Sequence, residues 1–360
     1  MAGPGDIRIA VSEGRTEVEL GGGPFVLFDL GGLPLSTETP TWVRIVAHGA
    51  GLEVRGAGAV PLRVPGLRLA SPPGGAVRLH ARDYAGVLEV QRAAEGLLVV
   101  NELPLEAYVA GAVKAEAGDR APLEMLKAQA VVARTYAAYH RQLNAAKPYH
   151  LVASTAHQQF AGRVAGGSPA AIAVCETAGQ VLLWEGALFP AFYHTDSGGH
   201  TEDPRAVFAA SNMPALRPVR VEFRSDSPHH VWSLDVPLTE LTAALRRGGV
   251  AVGRIVGLDV VERSISLRVT RLAVQGTAGT VVVRGNDLRR LVGYDVLKST
   301  LFAVAVESGV ARFAGRGYGH GVGLDQAASR TMAELGYSAP QILAYYYPGA
   351  VLVAGLAASR

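Results

Sequence analysis

The feature that most constrains the fold is a change in hydrophobic periodicity at Asn101. From residue 7 to about residue 100, short runs alternate between apolar and polar residues and are separated by Gly and Pro, a pattern typical of β-strands. Beyond Asn101, the apolar residues of segment 105–113 recur at helical spacing, and a second helix is predicted over residues 122–143. Pro104, just before the first segment, and Pro122, at the start of the second, suit a first helical turn.

The rest of the chain is again rich in short strands. The predicted elements are a helix near residues 238–246, a meander of strands over 264–269, 271–274 and 280–284, a Gly-rich strand over 315–323, and helices over 325–335 and 340–346. Strands and helices are segregated rather than alternating, so the predicted class is α+β. We expect β-rich modules around a central helical hairpin, with the Gly-rich strand and short helices in the C-terminal part.

Charge and composition exclude several classes of protein. The 34 Lys and Arg residues balance 31 Asp and Glu residues without a long block of one sign, and nucleic-acid binding needs a clustered basic face. No apolar run approaches the roughly 18 residues of a membrane helix. The single cysteine, Cys175, excludes an intramolecular disulfide, and its apolar surroundings predict a small buried residue.

Residues 315–323 carry glycine at every second position. An extended chain with this pattern has bare backbone on one side, and Arg316, Tyr318, His320 and Val322 line the other. The bare side allows a ligand or another strand to come close. A helix N-terminus follows and favours an anion or a polar ligand oxygen. We interpret the segment as part of a binding site, with a tight structural crossover as the alternative.

A second polar cluster lies in residues 192–201. Asp196, Ser197 and two histidines suggest a catalytic triad, but the cluster has no Gly-x-Ser-x-Gly elbow. A zinc site through His194 and His200, with His157 as a third ligand, is an alternative, although the spacing matches no His-Glu-x-x-His helix. The favoured interpretation is the wall of a polar cleft.

Glu116 is the third candidate because it ends the first predicted helix. The helix dipole disfavours a charged carboxylate at that end, and a glutamic acid that keeps its proton near neutral pH is what general acid catalysis requires. On the second predicted helix, Lys127 and Arg134 are seven residues apart and therefore lie on a similar face. Such residues are more often solvated charges than parts of a site.

Taken together, these segments resemble the stage II sporulation protein D family (SpoIID/LytB). The run Lys-Ala-Gln-Ala-x-x-Ala-Arg-Thr-Tyr-Ala at residues 127–137 is the most specific part of the resemblance. The matching segments keep the order and spacing of the family from about residue 85 to residue 350, and they are residues 99–109, Glu116, and residues 122–137, 197–201, 317–323 and 342–349.

The resemblance implies a lytic transglycosylase that acts on the glycan strands of peptidoglycan, with Glu116 as its essential carboxylate. This residue would protonate the oxygen that links N-acetylmuramic acid to N-acetylglucosamine. It would then take a proton from the muramic C6 hydroxyl as a 1,6-anhydro ring closes, so the second carboxylate of an ordinary glycosidase is not required. The residues expected to bind substrate are Lys127, Arg134, Tyr193, Ser197, His200, Tyr318 and His320.

Further expectations follow from the resemblance. No cofactor is expected, and the zinc that some relatives hold with one His and two Cys is not expected in a chain with one cysteine. The expected partners are glycan strands and other cell-wall hydrolases, with no nucleic acid and no membrane span. We expect the protein to act outside the cytoplasmic membrane, in the periplasm or cell wall. Residues 1–5 lack the features of a signal peptide, so the natural precursor is expected to carry an export signal or anchor absent from this sequence.

The expected organisation is an N-terminal β-rich region at 1–85, a catalytic region at 86–350 and a C-terminal tail at 351–360. An inserted β-rich subdomain is expected at about 215–305. The site is expected to be a groove assembled from distant parts of the chain, lined by Glu116, Arg134, Ser197 and His320.

Three motifs depart from the family pattern. The Val-Pro-x-Glu-Met of the family is Val-Lys-Ala-Glu-Ala at residues 113–117, and its Asp-Gln-Val-Tyr-x-Gly is His-Gln-Gln-Phe-Ala-Gly at residues 157–162. Its Ser-Gln-Trp-Gly-Ala is Leu-Asp-Gln-Ala-Ala at residues 324–328. These departures keep an alternative open, a non-catalytic glycan-binding protein akin to the amidase enhancers, which regulate cell-wall hydrolysis.

Overall fold

The computed structural model describes residues 6–208, 213–223 and 227–355. Residues 1–5, for which no signal peptide was predicted, and residues 356–360 of the predicted tail lie outside this part. The described residues form many strands and eight α-helices that are largely segregated along the chain, so the predicted α+β class is confirmed. None of these helices is long and apolar enough to cross a membrane.

The chain divides into two compact units, Met1–Pro190 together with Leu352–Arg360, and Ala191–Val351. These bounds differ from those of the predicted regions 1–85 and 86–350, which stay predictions.

The first unit begins with eleven strands and continues with helices and two short strands. Its elements in chain order are β1 (Asp6–Arg15), β2 (Glu17–Gly21), β3 (Val26–Phe28), β4 (Trp42–His48), β5 (Gly51–Arg55), β6 (Leu62–Val64), β7 (Gly66–Ala70), β8 (Val77–Leu79), β9 (Arg82–Tyr84), β10 (Val87–Ala93), β11 (Gly96–Pro104), α1 (Leu105–Ala117), α2 (Leu123–Leu143), β12 (Leu151–Val152), α3 (Pro169–Glu176) and β13 (Val181–Leu183).

Two six-stranded sheets account for most of these strands, in the orders β12-β1-β11-β10-β7-β3 and β6-β5-β4-β2-β8-β9. Strand β1 runs antiparallel to β11, with Ile7 opposite Leu103. The two sheets are in contact through β10 and β11 on one side and β2, β4 and β5 on the other. Ile9 and Val43 are fully buried, as expected where alternating apolar residues face a core.

Helices α1 and α2 lie where the change in periodicity predicted two helices. Helix α2 buries a stripe of small and apolar residues that includes Leu126 and Ala130. α3 was not predicted, because it is short; its cap is Ser168, whose Oγ accepts from the N–H of Ala171 at 3.2 Å. The prediction that Cys175 is buried is wrong. Its side chain is exposed, because the inward face of α3 is made by other residues of the helix.

The second unit contains short sheets and five helices among its described residues. Its elements in chain order are β14 (Tyr193–His194), α4 (Pro204–Phe208), a 3₁₀ turn (Pro214–Leu216), β15 (Val231–Pro237), α5 (Leu238–Arg247), β16 (Ile255–Arg263), β17 (Val269–Gly276), β18 (Gly279–Arg284), α6 (Gly285–Val292), β19 (Phe302–Glu307), β20 (Val310–Arg316), β21 (Leu324–Asp325), α7 (Gln326–Glu334) and α8 (Ala339–Tyr346).

The sheets of this unit have the orders β15-β20-β19, β16-β17-β18 and β14-β21. The first two are antiparallel, whereas β14 and β21 are parallel. One apolar cluster, which includes Leu241 and Leu245 of α5 and Leu272 of β17, forms the core. The last strand among the described residues, β22 (Val351–Val353), belongs mostly to the first unit and pairs with β13.

Two predicted strands of this unit are wrong. β16 ends at Arg263, and residues 264–267 form a turn in which Leu267 has φ of 65°. Strand β20 ends at Arg316, so the Gly-rich segment is a strand only at its start. From Gly317 to Gly323, every second residue is a glycine with φ between 73° and 114°, and a β-strand does not tolerate such values.

Candidate functional site

Glu116 lies in the last turn of α1, and its side chain is half-buried. Its oxygen Oε1 accepts a hydrogen bond of 2.6 Å from the backbone N–H of Gln159. The helix ends directly afterwards, at Gly118 with φ of 67°. A backbone donor is held in place by the fold itself, so it can orient the carboxyl group independently of other side chains.

The donor belongs to residues 157–162, the segment that departs from the family motif. Tyr108 of α1 donates its hydroxyl hydrogen to Oε1 of Gln158 at 3.0 Å, in a fully buried contact. Burial is the main cause that raises the pKa of the Tyr108 phenol well above its ordinary value, and the neighbouring Tyr136 and Glu116 add to it. Tyr108 therefore stays protonated and remains a donor at neutral pH.

Gly111 explains how closely this segment approaches α1. A Cβ at Gly111 would lie 2.3 Å from the ring of Phe160 and 2.6 Å from the carbonyl oxygen of Gly162. The N–H of Ala161 donates to the carbonyl oxygen of Gly111 at 3.1 Å. Only glycine leaves room for these contacts, so the sequence of α1 itself fixes the segment that carries the Gln159 donor.

Lys127, a predicted substrate-binding residue, ion-pairs with two carboxylates. Its Nζ lies 2.7 Å from Glu124 on the same helix and 2.6 Å from Glu176 at the end of α3. These hydrogen bonds raise the pKa of the Lys127 ammonium above its ordinary value. The side chain thus connects α2 with α3, and its predicted contact with sugar stays a prediction.

Arg134 is buried and structural in this unit. Its guanidinium, with 0% of the side chain exposed, forms a bidentate ion pair with Glu106 of α1 at 2.8 and 2.7 Å. It also donates to the carbonyl oxygen of Gln180 at 3.0 Å. These contacts tie α1 and α2 to the segment before β13. Direct contact with sugar stays a prediction for Arg134, and positioning α1 is the role that its contacts support.

In the second unit, the glycines of residues 317–323 allow the chain to pack against its own backbone. A Cβ at Gly317 would lie 2.6 Å from the carbonyl oxygen of Asp196, and one at Gly323 would lie 1.9 Å from that of Phe192. The bare face of the Gly-rich segment is therefore covered by the polar cluster at residues 192–201. The bare face was expected to contact either a ligand or another part of the chain, and in the structure it contacts another part of the chain.

Gly321 approaches a buried arginine that sequence reasoning missed. A Cβ at Gly321 would lie 2.5 Å from Cζ of Arg268. The Arg268 guanidinium is buried and donates to the carbonyl oxygens of Ser197 at 2.6 Å and His200 at 2.8 Å, and to Oγ of Ser266 at 3.0 Å. It joins the polar cluster to the turn before β17, and the burial that removes its hydration lowers its pKa.

The negative charges of three buried carboxylates, Glu202, Asp196 and Asp325, attract this guanidinium and oppose the lowering of its pKa. Burial first, and then repulsion by Asp196, raise the pKa of Asp325 to about 6, although the N–H of Ser197 donates to it at 2.8 Å. Glu202 accepts from Ser266 at 2.8 Å. Its place directly after the polar cluster was the only sequence signal that could have drawn attention to Glu202.

The predicted substrate-binding residues near the start of this unit differ in exposure. Tyr193 is half-buried and lies in β14 opposite Leu324. Ser197 is fully buried, and its Oγ accepts from the N–H of Gly199 at 3.2 Å. His200 is half-buried, and its Nδ1 lies 2.7 Å from the carbonyl oxygen of Thr201.

Tyr318 and His320 alternate with the glycines. The hydroxyl of Tyr318 donates to Oδ1 of Asp295 at 2.5 Å. His320 packs against the ring of Phe208, and its Nδ1 accepts from the N–H of Val322 at 3.0 Å. Loss of hydration, and then the positive charges of two arginines, lower the pKa of His320 to about 3, so its ring is neutral at pH 7. Both residues take part in local hydrogen bonds, and their predicted roles toward substrate stay predictions.

The described residues offer no set of ligands for the alternative zinc site. His157 belongs to the first unit, and its Nδ1 accepts from the N–H of Val152 at 3.3 Å. His194 and His200 belong to the second unit, where Nδ1 of His194 lies 3.1 Å from the carbonyl oxygen of Val322. In the part of the chain that the structure describes, no group of three or more His, Cys, Asp or Glu side chains is arranged to hold a metal ion.

The residues expected to line one groove are divided between the two units. Glu116 and Arg134 belong to the first, and Ser197 and His320 to the second. The expected groove stays a prediction.

Comparisons with known proteins bear on both units. Residues 93–184 match the family model described as "Stage II sporulation protein", and residues 217–323 match one described as a domain of unknown function. The first match contains Glu116, Lys127 and Arg134.

Curated relatives cover most of the chain at low identity. An uncharacterised protein of Brachyspira hyodysenteriae is 27% identical over 321 residues, which is 89% of this chain and 84% of that protein. The stage II sporulation protein D of Bacillus subtilis is 27% identical over 69% of this chain and 74% of its own length. The amidase enhancer of Bacillus subtilis is 28% identical over 64% of this chain, and the match spans 38% of that longer protein.

Proposed function

We propose that this chain cleaves the glycan strands of peptidoglycan as a lytic transglycosylase. It is a member of the stage II sporulation protein (SpoIID) family through its domain at residues 93–184. The observation that carries the proposal is the carboxyl group of Glu116, half-buried at the end of α1 and held by the backbone N–H of Gln159. Action on peptidoglycan requires the protein to work outside the cytoplasmic membrane.

In the proposed reaction, Glu116 acts first as an acid. Its carboxyl group donates a proton to the oxygen between N-acetylmuramic acid and N-acetylglucosamine, and that bond breaks with an oxocarbenium-like state on the muramic ring. The Glu116 carboxylate that results is stabilised by the N–H of Gln159, because hydrogen bonds to ionised acceptors are stronger than neutral ones.

Glu116 then acts as a base. Its carboxylate accepts the proton of the muramic C6 hydroxyl, the C6 oxygen attacks the anomeric carbon, and a 1,6-anhydro ring closes. The carboxyl group ends the cycle protonated, so one residue serves both steps and no water is consumed. The neutral phenol of Tyr108 contributes indirectly, because its hydrogen bond to Gln158 holds the segment that carries the Gln159 donor.

A second candidate function is glycan binding without cleavage, as a regulator of other cell-wall hydrolases. The match to a protein named amidase enhancer favours it. So does the sequence around Glu116, where residues 114 and 117 are Lys and Ala rather than the Pro and Met of the family pattern.

Digestion of purified glycan separates the two candidates. The protein is incubated with intact peptidoglycan and with strands stripped of their stem peptides, and the masses of soluble products are recorded. Products that carry 1,6-anhydro-N-acetylmuramic acid, 18 mass units below the hydrolytic products because no water is added, support cleavage. Sedimentation of the protein with glycan, without such products, supports the binding function instead.

A further inference from the structure

A cleft of about 870 Å³ lies within the second unit, beside the sheet formed by β15, β20 and β19. Its volume falls in the range of about 300–1,000 Å³ that is usual for small-ligand sites. Its lining residues are Arg220, the Gly198–His200 part of the polar cluster, the end of β20, and three stretches of chain around Trp232, Leu267 and Phe302.

The charged residues of this lining are arginines. Arg220, Arg263 and Arg316 contribute, and among the described residues no Asp or Glu lines the cleft. Arg263 is held in place, since it donates to the carbonyl oxygens of Leu267 at 2.7 Å and Phe302 at 3.0 Å. A guanidinium has five N–H donors, so this arginine keeps donors for a ligand.

The other two arginines are more open. Arg220 has a side chain that is 80% exposed, and it forms a loose ion pair of 3.7 Å with Glu222, whose side chain is 71% exposed. Arg316 is exposed at the end of β20, and no carboxylate of the described residues lies within ion-pair distance of it. The described lining of the cleft therefore carries an excess of positive charge.

The exposed apolar residues of the cleft are aliphatic. Val231 is 68% exposed and Leu267 is 64% exposed. The backbone of Leu267 has φ of 65°, a strained conformation for a residue with a bulky side chain. The aromatic residues Trp232 and Phe302 are almost fully buried. Sugar rings stack on exposed aromatic faces, which this lining does not offer. Aliphatic side chains beside guanidinium groups suit a small peptide that ends in carboxylates.

We propose that this cleft binds the short, acidic, alanine-rich peptides of the cell wall through their carboxylates. The guanidinium groups match carboxylates in charge and geometry, and Val231 and Leu267 contact the alanine methyl groups. The inference rests on the proposed function only in taking peptidoglycan as the material that the chain meets. It assigns a ligand to the second unit, apart from the chemistry of Glu116.

Calorimetric titration with a defined peptide tests this assignment. The probe is the N-acetylated pentapeptide acetyl-L-Ala–γ-D-Glu–L-Lys–D-Ala–D-Ala, which carries two carboxylates and one ammonium group, and the same peptide with both carboxylates amidated is the control ligand. We expect the pentapeptide to bind in a 1:1 ratio and the amidated form to bind at least about tenfold more weakly, because hydrogen bonds to charged groups are lost. Binding of the pentapeptide is expected to weaken as salt concentration rises.

Two variants locate the site. Arg316→Gln is expected to weaken binding of the pentapeptide by about tenfold. Arg312→Gln, on the same strand but paired with Glu307 at 3.0 Å, is expected to leave the affinity unchanged. Both positions are exposed, and thermal unfolding checks that both variants are folded.

Three outcomes would overturn the assignment: no binding of the pentapeptide at millimolar concentration, equal weakening by the two variants, or equal affinity for the amidated peptide. Tighter binding of peptide-stripped glycan with the same dependence on Arg316 would show instead that the cleft is a sugar site. The cleavage assay uses stripped glycan and product masses, so failure of peptide binding and failure of the proposed function are separate results.

Discussion

Substitution of Gly111 by alanine tests whether the packing of residues 157–162 against α1 positions the Gln159 donor. The added Cβ would lie 2.3 Å from the ring of Phe160 and 2.6 Å from the carbonyl oxygen of Gly162. The ring can turn away, but the carbonyl belongs to the backbone, so the segment itself must move. Because the same segment donates to Glu116, we expect stability and cleavage to fall together.

Two opposing effects set the size of the change in the free energy of unfolding. Overpacking of a close contact costs about 1–3 kcal/mol. Replacing a helical glycine by alanine returns about 1 kcal/mol through helix propensity. The net expectation for Gly111→Ala is a destabilisation of about 0–2 kcal/mol, together with a loss of cleavage rate that exceeds any loss of folded protein.

Urea denaturation and the release of anhydro products measure the two effects. The control is Gly167→Ala, because a Cβ at Gly167 would meet no atom within 4 Å and φ there is not in the left-handed region. We expect this control to be as stable and as active as the parent. A Gly111→Ala protein that matched the control in both assays would refute the argument that close packing fixes the segment.

Two further predictions concern stability. Arg134→Gln is expected to destabilise the protein by about 2 kcal/mol, because it removes a fully buried guanidinium that bonds the half-exposed Glu106 and the carbonyl oxygen of Gln180. Lys127→Gln removes pairs with two partly exposed carboxylates and is expected to cost about 1 kcal/mol or less in urea denaturation. Acid is expected to lower the urea midpoint. Burial is the main cause that lowers the pKa values of His140 and His150 to about 4 and that of His320 to about 3. Because these histidines bind fewer protons in the folded than in the unfolded protein, the stability present above pH 6.5 is lost as the pH falls toward 4.

Asp325 opposes this trend. Its pKa in the folded protein, about 6, is above the ordinary 3.8, so its contribution to stability rises as the pH falls through 6. One carboxyl group acts against several histidines, and the net effect of acid is expected to be destabilising. Equal or higher urea midpoints at pH 5.0 than at pH 7.5 would contradict the assigned burial of the histidines.

The sequence predicted best where one face of an element is buried. The helices α1 and α2 begin and end within about one residue of their predicted bounds, because a stripe that includes Leu126 and Ala130 faces the core. Glu116 was located in the same way, from its place at the end of a periodic segment.

Residues 264–269 show why other predictions failed. Their alternation of polar and apolar residues predicted a strand, whereas the structure has a turn that exposes Ile265 and Leu267 and buries Ser266 and Arg268. Ser266 donates to Glu202, and Arg268 donates to the carbonyl oxygens of Ser197 and His200, all of which are more than 60 residues away in the chain. A local pattern carries no information about such distant partners.

The geometry around Glu116 was hidden from the sequence for a related reason. The donor to its carboxyl group is a backbone N–H, which every residue except proline carries, so the residue type at position 159 gave no signal. The glycines of residues 317–323 were noticed, but their positive φ values and the backbone they face became known only from the structure.

The central claim is that Glu116 is the acid and base of glycan cleavage. Its most direct test compares the parent protein, Glu116→Gln and Glu334→Gln on peptide-stripped glycan. Glu334 is the matched control, because it is an exposed glutamate that ends α7. Release of 1,6-anhydro products is followed by mass spectrometry, and thermal unfolding checks that each variant is folded.

The account predicts that the parent and Glu334→Gln release anhydro products at equal rates. Glu116→Gln should be slower by at least about 10²-fold, since the amide can neither donate nor accept the proton and general acid–base catalysis contributes about 10²–10⁴-fold. Release of anhydro products by folded Glu116→Gln at the rate of the parent would contradict the account.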